Sequence, residues 1–223
     1  MKTTTLLLIR HGQTDWNRQG RYTGQSDIPI NEIGREQARL LASKLEATPP
    51  DVIYASDLIR AYQTAEIVAG ACDVPLYADP RLREINQGVW EGMLFADIKA
   101  RFAREFAARK ADPLTVAAPE GETVGQVRER VLAAVQAIIE KHPGQRVAIV
   151  AHGLVLAIIK GYVIDHPITK VWDLIPPNAE AEEVEVKAIS MLSVITQRAQ
   201  RRHRYSQRDK RGFLMHLYDK EFR

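Results

Sequence analysis

Cysteine is nearly absent from this chain: Cys72 stands alone among 223 residues. One thiol cannot form an internal disulfide, so the fold must be held by its core, and a reducing compartment, the cytoplasm, is the expected location. Long apolar runs are missing as well. No stretch approaches the roughly 20 residues that cross a bilayer. The N-terminal run Leu6-Leu7-Leu8-Ile9 is shorter than the apolar segment of a secretory signal and lacks a cleavage-type pattern. Membrane and secreted classes are therefore disfavoured. A generally basic surface is missing too, despite a net charge of +3. Residues 198–211 carry seven Lys or Arg against one Asp, a balance of +6, so the remainder sums to −3. Tyr205 is the one aromatic residue among those cations, which disfavours nucleic-acid binding. The segment reads as a solvated hairpin or lid, with a contact between copies of a homodimer or attraction of an anionic partner as the functional alternatives.

What the chain does have is the composition of an ordinary globular protein, 45% hydrophobic and 26% charged, long enough to bury a sizeable core in a single domain over 1–223. Strand-like and helix-like pieces alternate along it. Leu6 to Ile9 form a buried strand that stops abruptly at Arg10-His11-Gly12. Asn31 is placed to cap a helix reaching about Glu46, with Ala38, Leu41, Ala42 and Leu45 on one face. Residues 52–55 form a short buried strand ending in Ser56-Asp57. The next helix buries Leu58, Ala61, Tyr62, Ala65, Val68 and Ala69, which leaves Arg60 and Thr64 off that face. Arg60 lies in the first turn, where the helix dipole disfavours a cation, so its placement suggests a task other than stability. Residues 75–77 read as a third strand, 93–111 as one weakly amphipathic helix, and 110–122 as a loop. Thr123 with Gln126 has the form of a capping box opening a helix whose face is Val124, Val127, Val131, Val135, Ile138 and Ile139. Residues 147–151 form a strand that ends on His152-Gly153, and a helix over 154–161 follows. The acidic stretch 180–185 reads as a loop, with strands at 188–196 and 212–217.

This alternation predicts an α/β fold, a three-layer sandwich with a mostly parallel central sheet and helices on both faces. Ligands bind at the carboxyl ends of such strands. Three strand ends carry polar clusters: Arg10-His11, Ser56-Asp57 leading to Arg60, and His152. Gly12 allows the backbone to approach whatever sits there, and Gly153 opens a helix. Cations and backbone donors converging at one sheet edge make an anion site, for which a tetrahedral phosphoryl group is the best occupant.

The same residues stand in a pattern that resembles the histidine phosphatase superfamily, the phosphoglycerate-mutase-like group. The resemblance runs through Leu8-Ile9-Arg10-His11-Gly12-Gln13-Thr14 with Trp16-Asn17, then Gly20-Arg21-Tyr22-Thr23-Gly24 and Asp27-Ile28-Pro29. It continues in Ser56-Asp57-Leu58-Ile59-Arg60-Ala61 with Gln63-Thr64-Ala65, in Leu82-Arg83-Glu84 with Gly88-Val89-Trp90-Glu91-Gly92, and in Gly121-Glu122 and Ala151-His152-Gly153. It implies that His11 attacks phosphorus and becomes a phosphohistidine, with the neutral imidazole favoured by Arg10 and Arg60. It implies that Arg10, Arg60 and His152 grip the nonbridging oxygens. Glu84 is the implied general acid and then base, with Glu91 a second carboxylate candidate. Asn17, Gly12, Thr23, Gly24 and Gly153 are the implied substrate-binding positions. No metal and no cofactor is implied, and a facial metal triad of His11, His152 and Glu84 is disfavoured by two arginines in the same pocket.

The implied activity is hydrolysis of a small phosphomonoester metabolite. A cofactor-dependent phosphoglycerate mutase is one alternative and a catalytically quiet binder of a phosphorylated ligand another. Only 67 residues lie between Glu84 and His152, too few for the mutases' longer insert. The run Leu154-Val155-Leu156-Ala157 after the second His-Gly is expected to make an apolar pocket wall, and substrate choice is expected in loops 20–30 and 110–122.

Overall fold

The first strand, β1 (Thr3–Arg10), serves two cores at once. Leu6 and Leu8 join one hydrophobic cluster while Leu7 and Ile9 join another, as the two-residue period of a strand requires. That is why its sequence reads as continuously apolar. In the computed structural model, which describes residues 2–187, the chain continues through α1 (Asp15–Gln19), α2 (Glu32–Leu45), β2 (Val52–Ala55), α3 (Ile59–Cys72) and β3 (Leu76–Ala78). It then forms α4 (Phe95–Arg101), α5 (Ala103–Ala111), α6 (Val124–Lys141), β4 (Arg146–Ala151), α7 (Gly153–Val163) and β5 (Ala181–Lys187). The sheet order is β3-β2-β4-β1-β5, parallel throughout except for β5, which runs antiparallel to β1.

The sheet separates two helical layers, which is the sandwich expected from the alternation of elements. Leu6, Leu8, Val147 and Ile149 pack against Val131, Val135 and Ile139 of α6 and Val155 and Ile159 of α7. On the other face Leu7, Ile9, Ala148 and Val150 pack against Leu41 and Leu45 of α2 and Ala61, Ala65 and Val68 of α3. The caps read from the sequence are present: the Asn31 side chain accepts from Gly34 N at 2.9 Å, and Thr123 and Gln126 form a reciprocal capping box.

Three local expectations are corrected. The acidic stretch is the strand β5, because Val184 and Val186 alternate with Glu183 and Glu185 and fill the core while those two glutamates are exposed. Lys160 pairs with Glu182 and Arg146 with Glu183, which ties that edge to α7 and β4. The helix expected over 93–111 is broken at Phe102 (φ −127°, ψ 39°) into α4 and α5. The break lets Phe102 and Phe106 both approach Trp90, at 6.3 and 6.0 Å between ring centroids. Arg60 and Thr64, read as lying off the buried face of α3, are 1% and 0% exposed. They are buried against polar groups, a second covered face that an apolar pattern does not register. The strands expected at 188–196 and 212–217 and the basic segment 198–211 lie outside the described residues.

Candidate active site

The register of the sheet places the site. Arg10 lies opposite Ala151 across β1 and β4, and Val150 is flanked by Ile9 on one side and Ala55 on the other. The next residue of each strand, His11, His152 and Ser56, therefore leaves the sheet beside the others. His11 N donates to Ala151 O and Ser56 N to Val150 O, both at 3.0 Å. The two imidazoles stand with centroids 5.2 Å apart, and both are buried.

Hydrogen bonds assign the protons. His11 Nδ1 lies 2.8 Å from Gly12 O, and a carbonyl only accepts, so the proton is on Nδ1 and the lone pair on Nε2. Ser56 Oγ accepts from Leu58 N at 3.3 Å and lies 2.8 Å from His152 Nε2. A serine hydroxyl both donates and accepts, so this contact is compatible with either His152 tautomer; when the hydroxyl donates to Nε2, the His152 proton sits on Nδ1. Gly12 has a packing role. A Cβ there would stand 2.5 Å from Gly34 O, so this glycine lets α2 pack onto the strand end. Its N–H donates to Thr64 Oγ1 at 2.9 Å, and Thr64 in turn donates to Arg60 O.

The guanidiniums are fixed by carbonyls. Arg60 donates from Nη1 to Ser26 O (2.8 Å) and from Nη2 to Gly24 O (2.7 Å). Gly24 adopts φ +55°, and a side chain at that position would run into the Glu91 carboxylate. Arg10 Nη1 donates to Pro176 O at 2.6 Å, and Gly153 lies against the Arg10 guanidinium. What remains is informative. Arg10 Nε, Arg60 Nε and His152 Nδ1 are buried without a hydrogen-bond partner. Buried donors are normally paired. Both arginine charges act on His11 and His152, so these three unpaired nitrogens belong to one charged site, and that charge selects an anion.

Electrostatics follow from this placement. Burial first, then the Arg60 and Arg10 charges, hold His11 well below the usual histidine value. His152 is held down by burial, by Arg60, by His11 and by Arg10. Burial pulls Arg60 down to about 10, against attraction from Glu84, Asp27 and Glu91, so it stays charged at neutral pH. The histidine shifts carry a stability consequence. Both groups bind protons in the unfolded chain near pH 6.5 but resist them in the folded one. Stability is therefore unaffected above that pH and falls as pH drops below it, with a limiting slope of about 1.4 kcal/mol per pH unit per histidine. The thermal midpoint of the ligand-free protein should fall between pH 7 and 5, and less steeply in His152→Asn; an unchanged slope in that variant would contradict the assignment.

The carboxylates divide clearly. Glu84 accepts from Ile85 N at 2.9 Å and from Leu154 N, in the first turn of α7, at 3.3 Å. Its neighbours Arg81 and Arg83 are engaged by Asp79 and Asp57, and Arg130 holds its main-chain carbonyl. Glu84 thus has no ion pair among the described residues. Glu91 is spent on structure: it accepts from Gln25 N (2.8 Å), Gln87 N (3.1 Å) and Ser26 Oγ (2.5 Å). It clamps the loop whose carbonyls hold Arg60. Glu91→Ala should lower turnover on the order of 10- to 100-fold by letting Arg60 drift, with Glu91→Gln retaining part of it; equal turnover in all three proteins would remove the clamp from the account.

The other expected residues are distributed as follows. Asn17 Oδ1 accepts from Thr14 N in the capping box and from Asn178 Nδ2 at 3.4 Å, and its own Nδ2 carries no hydrogen bond among the described residues. Thr23 closes a turn through its carbonyl to Ser26 N. Leu154, Val155, Leu156 and Ala157 belong to the core beneath the sheet, so the expected apolar pocket wall is not formed by them. The sequence reading missed Asn178, which donates to His11 O at 2.9 Å, and Pro176, whose carbonyl holds Arg10. Pro176-Pro177 marks a turn, but nothing in the sequence directs that turn to the site.

An α/β sheet edge with two buried histidines, the buried Arg60, the half-buried Arg10 and a carboxylate outside any described ion pair suits the handling of phosphoryl groups. The model of the histidine phosphatase superfamily (branch 1) matches residues 6–191, and the chain belongs to that family. It is 31% identical over 182 residues to phosphoserine phosphatase 1 of Hydrogenobacter thermophilus, covering 82% of this chain and 86% of that one. It is 35% identical over 162 residues to a probable phosphoglycerate mutase, GpmB, of Yersinia pestis, covering 73% and 75%. Among solved structures, mycobacterial glucosyl-3-phosphoglycerate phosphatase in complex with VO3 superposes with a TM-score of 0.73 at 32% identity, covering 80% of this chain and 91% of that one.

Proposed function

We propose that the protein is a metal-independent phosphomonoesterase acting on a small phosphorylated metabolite through a phosphohistidine intermediate. The observation that carries this reading is the set of three unpaired buried nitrogens, Arg10 Nε, Arg60 Nε and His152 Nδ1, on side chains grouped with His11. His11 attacks phosphorus in line, and the P–O bond to the leaving group breaks as the P–N bond forms. The orphan donors take up the negative charge that spreads over the nonbridging oxygens. Glu84 delivers a proton to the departing oxygen, then accepts one from the water that cleaves the phosphohistidine. Gly153 and the Asn17 amide border the phosphoryl pocket, and Thr23 and Gly24 form the wall that carries Arg60. Relatives named as phosphatases of phosphoserine and of glucosyl-3-phosphoglycerate support hydrolysis.

A second reading has its own support in relatives named probable phosphoglycerate mutase. The two differ in the acceptor of the phosphoryl group, water or a substrate hydroxyl. The test is incubation with 3-phosphoglycerate in EDTA, with and without 2,3-bisphosphoglycerate, beside p-nitrophenyl phosphate as a generic ester. Release of inorganic phosphate without dependence on the bisphosphate supports the phosphatase. Isomerisation that requires the bisphosphate overturns it in favour of the mutase, and turnover abolished by EDTA overturns the metal-free mechanism.

A further inference from the structure

Glu84 sits on chain that has no regular structure of its own. Residues 83–87 are in neither helix nor strand, and lie between two short 3-10 turns, Pro80–Leu82 and Gly88–Trp90. Leu82 and Ile85 anchor the stretch in the core that α6 lines, at 0% and 1% exposed. Buried side chains leave the backbone unsatisfied, so its N–H and C=O groups need partners from elsewhere in the fold.

Arg130 of α6 supplies three of them. Its Nη1 donates to Arg81 O at 2.8 Å and to Arg83 O at 2.5 Å, and its Nη2 donates to Glu84 O at 2.9 Å. The remaining bonds go to Glu122, from Nε to Oε1 at 3.1 Å and from Nη2 to Oε2 at 3.0 Å. A guanidinium carries five N–H donors, and these five bonds use every one. Both side chains are largely covered, 20% and 23% exposed, so this is not a solvated surface pair of little weight.

Glu122 completes the clamp from the far side of the stretch. Its Oε2 accepts from Asn86 N at 2.8 Å and from Gln25 Nε2 at 3.4 Å, and its own N–H donates to Asn86 O at 2.9 Å. Gln25 Nε2 also donates to Glu84 O, at 3.1 Å. The Glu84 carboxylate, by contrast, accepts only from Ile85 N and Leu154 N. Where it stands is therefore decided by where its main chain is held. A proton donor must meet the departing oxygen within hydrogen-bond reach, and a displacement of about 1 Å can cost on the order of 100-fold. With no donor left for a substrate, Arg130 acts through what it holds.

We infer that Arg130, braced by Glu122, is the positioning residue that sets where Glu84 presents its proton to the leaving oxygen. This rests on the phosphomonoesterase reading, and the test separates the two. Wild type, Arg130→Lys, Glu84→Gln and the double variant are compared on glycerol 3-phosphate and p-nitrophenyl phosphate through kcat/KM, which reports transfer to His11. Lysine keeps the charge but brings three donors to five acceptors. Arg130→Lys should lower kcat/KM for glycerol 3-phosphate by roughly 10- to 100-fold. For p-nitrophenyl phosphate, whose phenolate leaves with little help, the loss should stay below about threefold. In the Glu84→Gln background the same substitution should change either rate by less than about twofold, because no proton remains to be placed. Glu122→Gln removes one carboxylate oxygen at constant volume and should show the same ester selectivity, which decides the matter if Arg130→Lys does not fold. Equal losses on the two esters, or losses that add to those of Glu84→Gln, make the clamp merely structural and overturn the inference, while wild-type hydrolysis keeps the phosphomonoesterase reading. A wild type that hydrolyses neither ester sinks both.

Discussion

His11→Ala is expected to lose p-nitrophenyl phosphate hydrolysis by on the order of 10⁴- to 10⁶-fold, the scale of removing an activated nucleophile. The size of the effect follows from how much of the site is arranged around one nitrogen. Gly12 O fixes the tautomer that leaves Nε2 with its lone pair, and burial with two arginines keeps that lone pair free of a proton. Alanine removes the nucleophile while leaving the three orphan donors in place, so phosphate binding should persist where turnover does not. Rapid acid-free quenching of wild type with a labelled ester should trap an acid-labile, base-stable phosphoprotein that the variant lacks. Comparable turnover in the two proteins, or labelling that survives in His11→Ala, would move the nucleophile elsewhere.

Glu84→Gln is the second large effect, and its diagnostic is dependence on the leaving group. Loss of a positioned proton donor is expected to slow alkyl phosphomonoesters by about 10²- to 10⁴-fold. p-Nitrophenyl phosphate, whose departing phenolate is already stabilised, should suffer much less in the first step. Glutamine still accepts from Ile85 N or Leu154 N through its one carbonyl oxygen, so the local geometry has a reason to persist. Equal losses on both ester types would make Glu84 a structural residue, and the proton donor would then have to be sought elsewhere in the pocket.

Most of the central layer was legible because apolar runs and their terminators are short-range signals. Leu6 to Ile9 and Val147 to Ala151 are buried on both faces and read as continuous runs, and each stops at a histidine. The parallel sheet then follows from the helices between them, and the register brings His11 beside His152. What the sequence hid was polar burial. Arg60 and Thr64 are packed against carbonyls and hydroxyls rather than against apolar groups, so hydrophobic periodicity did not register that their face is covered. The strand β5 was hidden by its glutamates, since an edge strand needs only every second residue to be apolar. Asn178 and Pro176 were hidden for another reason: their contacts reach across more than 160 residues of chain, to His11 and Arg10, and no local pattern encodes them.

The position of β1 in the sheet orders events in time. Its two neighbours are β4 and β5, so Leu6 has Val147 on one side and Val184 on the other. The strand that carries His11 precedes both of its partners in the chain, so it pairs with neither until the residues from 146 onward exist. Such distant pairings carry the highest loop-closure cost and form late. The nucleophile is therefore among the last groups to be set in place, and the contact of α2 with α3, close in sequence, can form in an emerging or refolding chain before any chemistry does.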